Sequence, residues 1–177
     1  LDNVVEEFVE LHNLTSHAVP LYDPLRPANT WRLRDGVEFD FPPHVALAPH
    51  GYLLVVSFDT VKDLGALATF RNKYSLPPGT QLVGPYEGRL DNGGDTVGLY
   101  RPDAPQVEPD PDAGYVPYPV VDKARYGDAY PWPFGADGSG ASLQRLYAGD
   151  YGNDPVNWFA GPPTPGANYL LDTDDDG

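Results

Sequence analysis

The chain has 177 residues, and its 26 acidic and 11 basic side chains give a formal net charge of -15. That charge repels nucleic-acid phosphates and anionic lipids, so it argues against a nucleic-acid partner, and no apolar run is long enough for membrane insertion. The chain has no cysteine, which excludes disulfides and thiolate chemistry. It also lacks methionine and begins with Leu1, so we expect a processed or excised segment of a longer product.

The first half of the chain alternates apolar and polar residues in short runs between turns. A strand is predicted over residues 8–12, and a hairpin over residues 31–41 turns at Asp35 and Gly36. The unbroken apolar run 52–57 is typical of a central strand covered on both faces. The residues from Thr60 to Tyr74 resemble a capping box followed by helical spacing, which predicts one short helix.

The second half contains further strands and a long loop. Strands are predicted from residue 81, over 96–100, over 116–122 and over 142–146, the last two being the final strands. Residues 101–119 are rich in Pro and Asp, which favours a surface loop. Ser139 lies in the stretch Ala-Asp-Gly-Ser-Gly, which matches neither a nucleophile elbow nor a P-loop, and we expect a turn that enters a strand. These elements predict a β-sandwich.

Several pieces of the sequence, in this order, resemble a lamin-tail-type domain of bacterial secreted proteins. The pieces are residues 7–13, 31–33, 39–42, 47–56, 88–99, 131–145, 157–158 and 163–166. The resemblance implies an all-β, immunoglobulin-like β-sandwich with one short helix over residues 1–161, followed by an extended acidic tail over 162–177. It also implies an extracellular or cell-surface setting and no catalytic residues or organic cofactor.

Domains of this family usually open with a further strand upstream of the Phe-Val-Glu-Leu strand. Here only Leu1, Asp2, Asn3 and two valines stand in that place. We therefore expect an unpaired sheet edge near residues 4–11 that accepts a strand from elsewhere, as in donor-strand complementation. If the donor is a second copy, the addition does not close and gives filaments.

Three groups of polar or aromatic residues are candidate sites. The histidines at positions 12, 17, 44 and 50 form no metal-binding motif. The glutamates at 6, 7 and 10 are compatible with an acid–base pair for glycoside hydrolysis, but a solvated strand edge is favoured. The crowded aromatics of residues 115–134 form a candidate sugar-stacking platform, with Tyr115, Tyr118, Tyr130 and Trp132 as ligand-binding residues. The competing interpretation is that Trp132 and Trp158 close the ends of the sandwich.

The end of the chain carries Asp172, Asp174 and Asp176, followed by Gly177. This spacing matches the first half of a calcium loop, in which alternate carboxylates face one Ca²⁺ ion. It also looks like the start of a thrombospondin type 3-like calcium repeat. The alternative is a solvated acidic tail without a bound ion.

Two functions remain open at this point. The first is a non-catalytic, extracellular structural or adhesive module whose partners are copies of itself or other surface proteins. The second is an accessory carbohydrate-binding module of a larger secreted hydrolase, with a glycan as its ligand. Neither hypothesis makes the domain an enzyme.

Overall fold

The structure, a computed structural model, describes residues 4–136 and 140–167. It has one α-helix, α1 (Leu64–Lys73), and short 3-10 turns at Val4–Glu6, Phe134–Ala136 and Pro155–Asn157. The strands are β1 (Phe8–His12), β2 (Val19–Pro20), β3 (Tyr22–Asp23), β4 (Arg26–Thr30), β5 (Arg32–Asp35), β6 (Val37–Asp40), β7 (Ala46–Leu47), β8 (Tyr52–Val56), β9 (Gln81–Val83), β10 (Glu87–Gly88), β11 (Gly94–Tyr100), β12 (Val120–Gly127), β13 (Ser142–Arg145) and β14 (Trp158–Gly161).

Two larger sheets enclose the core. The first has the order β1-β8-β9, in which β1 is antiparallel and β9 parallel to β8. The second is antiparallel, with the order β10-β6-β5-β11-β12. Leu11 and Leu53 of the first sheet join Leu33 and Phe39 of the second in one buried cluster. The predicted all-β sandwich with one short helix is confirmed.

Helix α1 covers the other face of the three-stranded sheet. A second buried cluster joins Leu54 and Val56 of β8 to Phe58 and to Phe70 of α1. The ring of Phe8 packs edge-on against Phe70, with 5.9 Å between their centroids. Because both faces of β8 are covered, its sequence is continuously apolar, as predicted for a central strand.

The helix begins later than the sequence suggests. The side chain of Asp63 accepts a hydrogen bond from the N–H of Ala66 at 2.9 Å and caps α1, so the helix begins at Leu64 and not at Thr60. The carboxylate of Asp59 accepts from the N–H groups of Val61 and Lys62, which folds the preceding residues into a turn. The sequence-based prediction took Thr60 as the cap and Asp63 as the fourth residue of the capping box, whereas Asp63 is itself the cap.

Two strands in the second half of the chain also differ from the prediction. The strand expected over 116–122 is β12, which runs over Val120–Gly127, because Pro117 and Pro119 lack the N–H that ladder pairing needs. The prediction that residues 142–146 form the last strand is wrong. Strand β14 follows and pairs with β13 in a hairpin that places Leu143 opposite Ala160.

A buried asparagine fixes the turn after β1. The side-chain amide of Asn13 donates to the carbonyl oxygens of His17 at 2.7 Å, Ala48 at 2.8 Å and Leu47 at 3.3 Å. Its Oδ1 accepts from the N–H and the hydroxyl of Thr15 at 3.0 and 2.8 Å. Asn13 is only 4% exposed, and these hydrogen bonds satisfy its buried polar atoms.

Candidate functional site

Within residues 4–136 and 140–167, strand β1 lies at the edge of its sheet, and no strand pairs with its side facing away from β8. The N–H of Asn13 donates to the carbonyl of Gly51 at 2.9 Å. Because hydrogen-bonded pairs alternate along an antiparallel ladder, the backbone groups of Val9 and Leu11 also face β8. The carbonyl of Val56 accepts from Tyr86, on the other side of β8, in agreement with that alternation. The backbone groups of Phe8, Glu10 and His12 therefore point to the free side.

The free side of β12 is covered, in contrast to that of β1. The side chain of Asn153 accepts a hydrogen bond from the N–H of Arg125 at 2.8 Å. Gly152 lies against the same strand, since a Cβ on it would lie 3.0 Å from the carbonyl oxygen of Lys123. The loop after β13 thus occupies the position that an added strand would need on β12.

A large groove opens between the two sheets on the side where β1 and β12 end them. Its volume is about 1140 Å³, above the range of roughly 300–1,000 Å³ for small-molecule sites. Apolar side chains of the core line it, among them Val9, Leu11, Val97 and Leu99. Its size and shape suit a segment of polypeptide better than a small ligand.

Residues 162–167 cross one end of the groove. The carbonyl of Pro162 accepts from the side chain of Gln144 at 2.6 Å, and the hydroxyl of Thr164 donates to the same side chain at 3.0 Å. The N–H of Gly166 then donates to Oε2 of Glu10 at 2.6 Å. This part of the predicted tail is held against the sandwich.

Two of the three glutamates near β1 are tied into the domain and are not a solvated edge. Oε2 of Glu7 accepts from the Tyr86 hydroxyl and from the N–H of Leu90, both at 3.2 Å. Glu10 is mostly buried, and burial raises its pKa to about 7, although the Gly166 hydrogen bond favours the carboxylate. Near neutral pH Glu10 is therefore only partly ionised, and its side chain has lost much of its hydration.

The aromatic residues predicted to bind a ligand lie in different environments. Tyr115 and Tyr130 are 62% and 85% exposed, whereas Trp132 is only 9% exposed. The ring of Trp132 packs against Trp158, with 6.1 Å between centroids, and the Arg32 guanidinium lies over the ring of Tyr118 at 3.0 Å. No ring contact joins these four predicted residues in the described part of the chain, and glycan binding stays a prediction.

The predicted metal site cannot be placed. Asp172, Asp174 and Asp176 lie outside the described residues, as does Ser139. Within residues 4–136 and 140–167, no group of three or more histidine or acidic side chains is arranged to hold a metal ion. Among the histidines, His12 stacks on Tyr52 at 4.2 Å, and its pKa is lowered by burial and then by the charge of His50.

Fold and groove together define a β-sandwich in which, among the described residues, the outer side of β1 has no paired strand. In the described part of the chain, no helix combines the length and the apolar composition needed to cross a membrane. No known family model matches the chain, and the comparisons with curated proteins and with solved structures found no match.

Proposed function

We propose that this domain is a non-catalytic adhesive or structural module of an extracellular or cell-surface protein, and that it binds a partner protein by accepting a β-strand along β1. The observation that carries the proposal is the free edge of β1 beside an apolar groove. Three residues, Phe8, Glu10 and His12, each present one N–H and one C=O to an incoming strand. Such main-chain bonds supply affinity, and side-chain pockets supply specificity.

The side chains of the groove support the same conclusion. Val9 and Leu11 point into the core from β1, and Val97 and Leu99 line the opposite sheet. An added strand with apolar residues at alternate positions would insert them between these sheets, because successive side chains of a strand face opposite ways. Burying apolar area contributes about 25 cal/mol per Å², so a few inserted side chains give substantial binding free energy.

A second copy is the less favourable donor at low ionic strength, because two chains of net charge -15 repel each other. Assembly into filaments by strand exchange stays a prediction that sedimentation tests. We also propose, from the order of the quoted sequence pieces, that the sandwich is of the lamin-tail type.

Amide hydrogen exchange measured by NMR tests the strand-acceptor function residue by residue. In the free domain, the amides of Phe8, Glu10 and His12 should exchange faster than those of Val9 and Leu11, which bond to β8. A capped six-residue peptide of alternating Thr and Val should slow exchange at the first three positions and leave the other two unchanged.

A peptide with proline in place of each threonine is the matched control, because the threonines lie opposite Phe8, Glu10 and His12, and proline has no N–H to donate to the carbonyl oxygens of these residues. It should protect none of the five amides. The proposal fails if the three free-edge amides are already protected in the unbound domain, or if the Thr/Val peptide at millimolar concentration protects none of them.

A further inference from the structure

The groove has an uneven charge. Seven acidic side chains line it, against three basic ones. Each basic group already has an acidic partner: Lys73 pairs with Glu6, Arg145 with Asp122, and Lys123 with Asp35. The groove therefore offers no unpaired cation to an acidic ligand.

Four of the lining carboxylates have no cation beside them among the described residues: Glu7, Glu10, Asp128 and Asp150. Glu7 is held by two neutral donors, whereas Glu10 has a single backbone N–H as its partner. A buried carboxylate in this position is stabilised by a cation, because attraction between charges is stronger away from bulk water. Glu10 is thus the carboxylate that gains most from a basic ligand.

The position of Glu10 on β1 indicates which residue of an added strand would supply that cation. Its backbone points to the free side of β1, so an added strand places one residue directly opposite it. In paired strands, side chains directly opposite each other lie on the same face, with about 4.5–5.5 Å between their Cβ atoms. A lysine or arginine at that position of the added strand would reach the Glu10 carboxylate.

We propose that the strand accepted by β1 belongs to a different protein and is basic, with a lysine or arginine opposite Glu10 and apolar residues at the positions that face the groove. This inference rests on the proposed function and adds the chemistry of the partner. Charge complementarity also favours a foreign strand over a second copy, because this chain has 26 acidic and 11 basic residues.

Calorimetry at pH 8 with three capped peptides tests the inference. The peptides are six residues of alternating Thr and Val, in which one central Thr is replaced by Lys, Gln or Glu. The Lys peptide should bind about 3–10-fold more tightly than the Gln peptide, and the Glu peptide more weakly than both. The Lys preference should shrink as the pH is lowered from 8 to 5.5, because Glu10 is then protonated.

Two variants of the domain test whether the preference for the Lys peptide depends on the Glu10 carboxylate. Glu10→Gln keeps an acceptor for the Gly166 N–H and should reduce the Lys preference to no more than about twofold. Glu38→Gln is the matched control, because Glu38 is exposed on β6 and does not line the groove, and it should leave the preference unchanged.

The outcomes separate the two proposals. If the Gln peptide binds but the Lys peptide binds no better, or if Glu10→Gln keeps the Lys preference, the basic-partner inference is overturned while strand addition stands. If no peptide binds, the proposed function fails and the inference fails with it. If the domain alone sediments as oligomers that the Lys peptide dissociates, the occupant is a second copy, and the inference of a foreign partner is overturned.

Discussion

At the scale of single residues, Asn13 connects parts of the chain that are far apart in sequence. Its amide bonds to carbonyls 34 and 35 residues away, at Leu47 and Ala48, as well as to the nearby His17. A turn-forming Asn was recognisable from the sequence, because Asn and Thr side chains often bond to the backbone two residues on. Its distant partners were not, because nothing in the local pattern specifies which carbonyls approach it.

Asn13→Ala should destabilise the domain by about 1–3 kcal/mol, because the buried carbonyl of Leu47 and the part-buried carbonyls of His17 and Ala48 would lose their donor. Urea unfolding followed by tyrosine and tryptophan fluorescence measures the change. Leu14→Ala is a suitable control in the same turn, since Leu14 is 48% exposed and its truncation should cost much less. Equal losses in the two variants would show that the Asn13 hydrogen bonds do not stabilise the fold.

Glu10 makes the stability of the domain depend on pH. Its pKa is about 7 in the folded domain, against an ordinary value of 4.5, so the folded state binds more protons between these values. The sign follows from linkage: the Glu10 contribution is fully present below pH 4.5 and is lost as the pH rises through 7. Glu10→Gln should therefore stabilise the domain relative to wild type above pH 8, by about 1–3 kcal/mol.

The measurement is the difference in unfolding free energy between Glu10→Gln and wild type at pH 5 and at pH 8.5. We expect a difference near zero at the lower pH and the full gain at the higher one. Glu38→Gln, at an exposed position of β6, is the control and should not reproduce the Glu10→Gln difference. A Glu10→Gln difference that is constant over this range would mean that the carboxylate keeps an ordinary pKa.

At the scale of the elements, the hairpin of β13 and β14 depends on a tryptophan pair. Trp132 precedes the 3-10 turn Phe134–Ala136 and packs on Trp158 at the start of β14. The Arg145 guanidinium also lies 5.1 Å from the Trp158 ring centroid. This arrangement matches the interpretation in which Trp132 and Trp158 are structural.

Trp132→Ala should therefore lower the unfolding free energy by about 3–5 kcal/mol, as truncation of a buried aromatic ring usually does. Tyr130→Ala is the control two positions away, and because Tyr130 is 85% exposed its effect should stay within about 0.5 kcal/mol. Thermal unfolding of both variants checks the expectation. If the Trp132→Ala variant is as stable as wild type, the structural role of Trp132 is contradicted and sugar stacking becomes the favoured interpretation of this residue.

The elements differ in how well the sequence predicts them. Strand β8 was predictable because both of its faces are buried, so its apolar run has only one good interpretation. Strand β12 was misplaced because it lies at a sheet edge, and its residues from Asp122 to Arg125 include three charged side chains and only one apolar residue, Ala124. Edge strands carry weak hydrophobic patterns, and their bounds depend on pairing that tertiary structure decides.

The candidate site was predictable in part. An unpaired edge near residues 4–11 was predicted from the resemblance of the sequence to lamin-tail-type domains, which usually open with a further strand. The acidity of the groove and the burial of Glu10 were not predictable, because they arise when residues 162–167 return to β1 from the far end of the chain. Contacts between positions 156 residues apart leave no trace in a local pattern.

At the scale of the whole molecule, net charge and open edge act together. An exposed strand edge is a hazard, because any unfolded chain can pair with it, and acidic side chains along the edge discourage most such pairing. Here the glutamates on and before β1 belong to a chain of net charge -15. The same charges that protect the edge from copies of this chain would favour a basic strand, so protection and selectivity have one physical origin.

The acidic end of the chain leads to the last prediction, which concerns calcium. Asp172, Asp174 and Asp176 alternate before Gly177, as the first half of a calcium loop does, and they lie outside the described residues. We expect weak Ca²⁺ binding, because Ca²⁺ prefers six to eight oxygen ligands and three carboxylates supply only part of that set. Calorimetry should show heat of Ca²⁺ binding for residues 1–177 that disappears when residues 172–177 are removed or when the three aspartates are replaced by asparagine. A magnesium titration is the control, because Mg²⁺ keeps its water shell and should bind more weakly to this spacing. Equal calcium uptake by the full and the shortened chain would exclude the tail as the site.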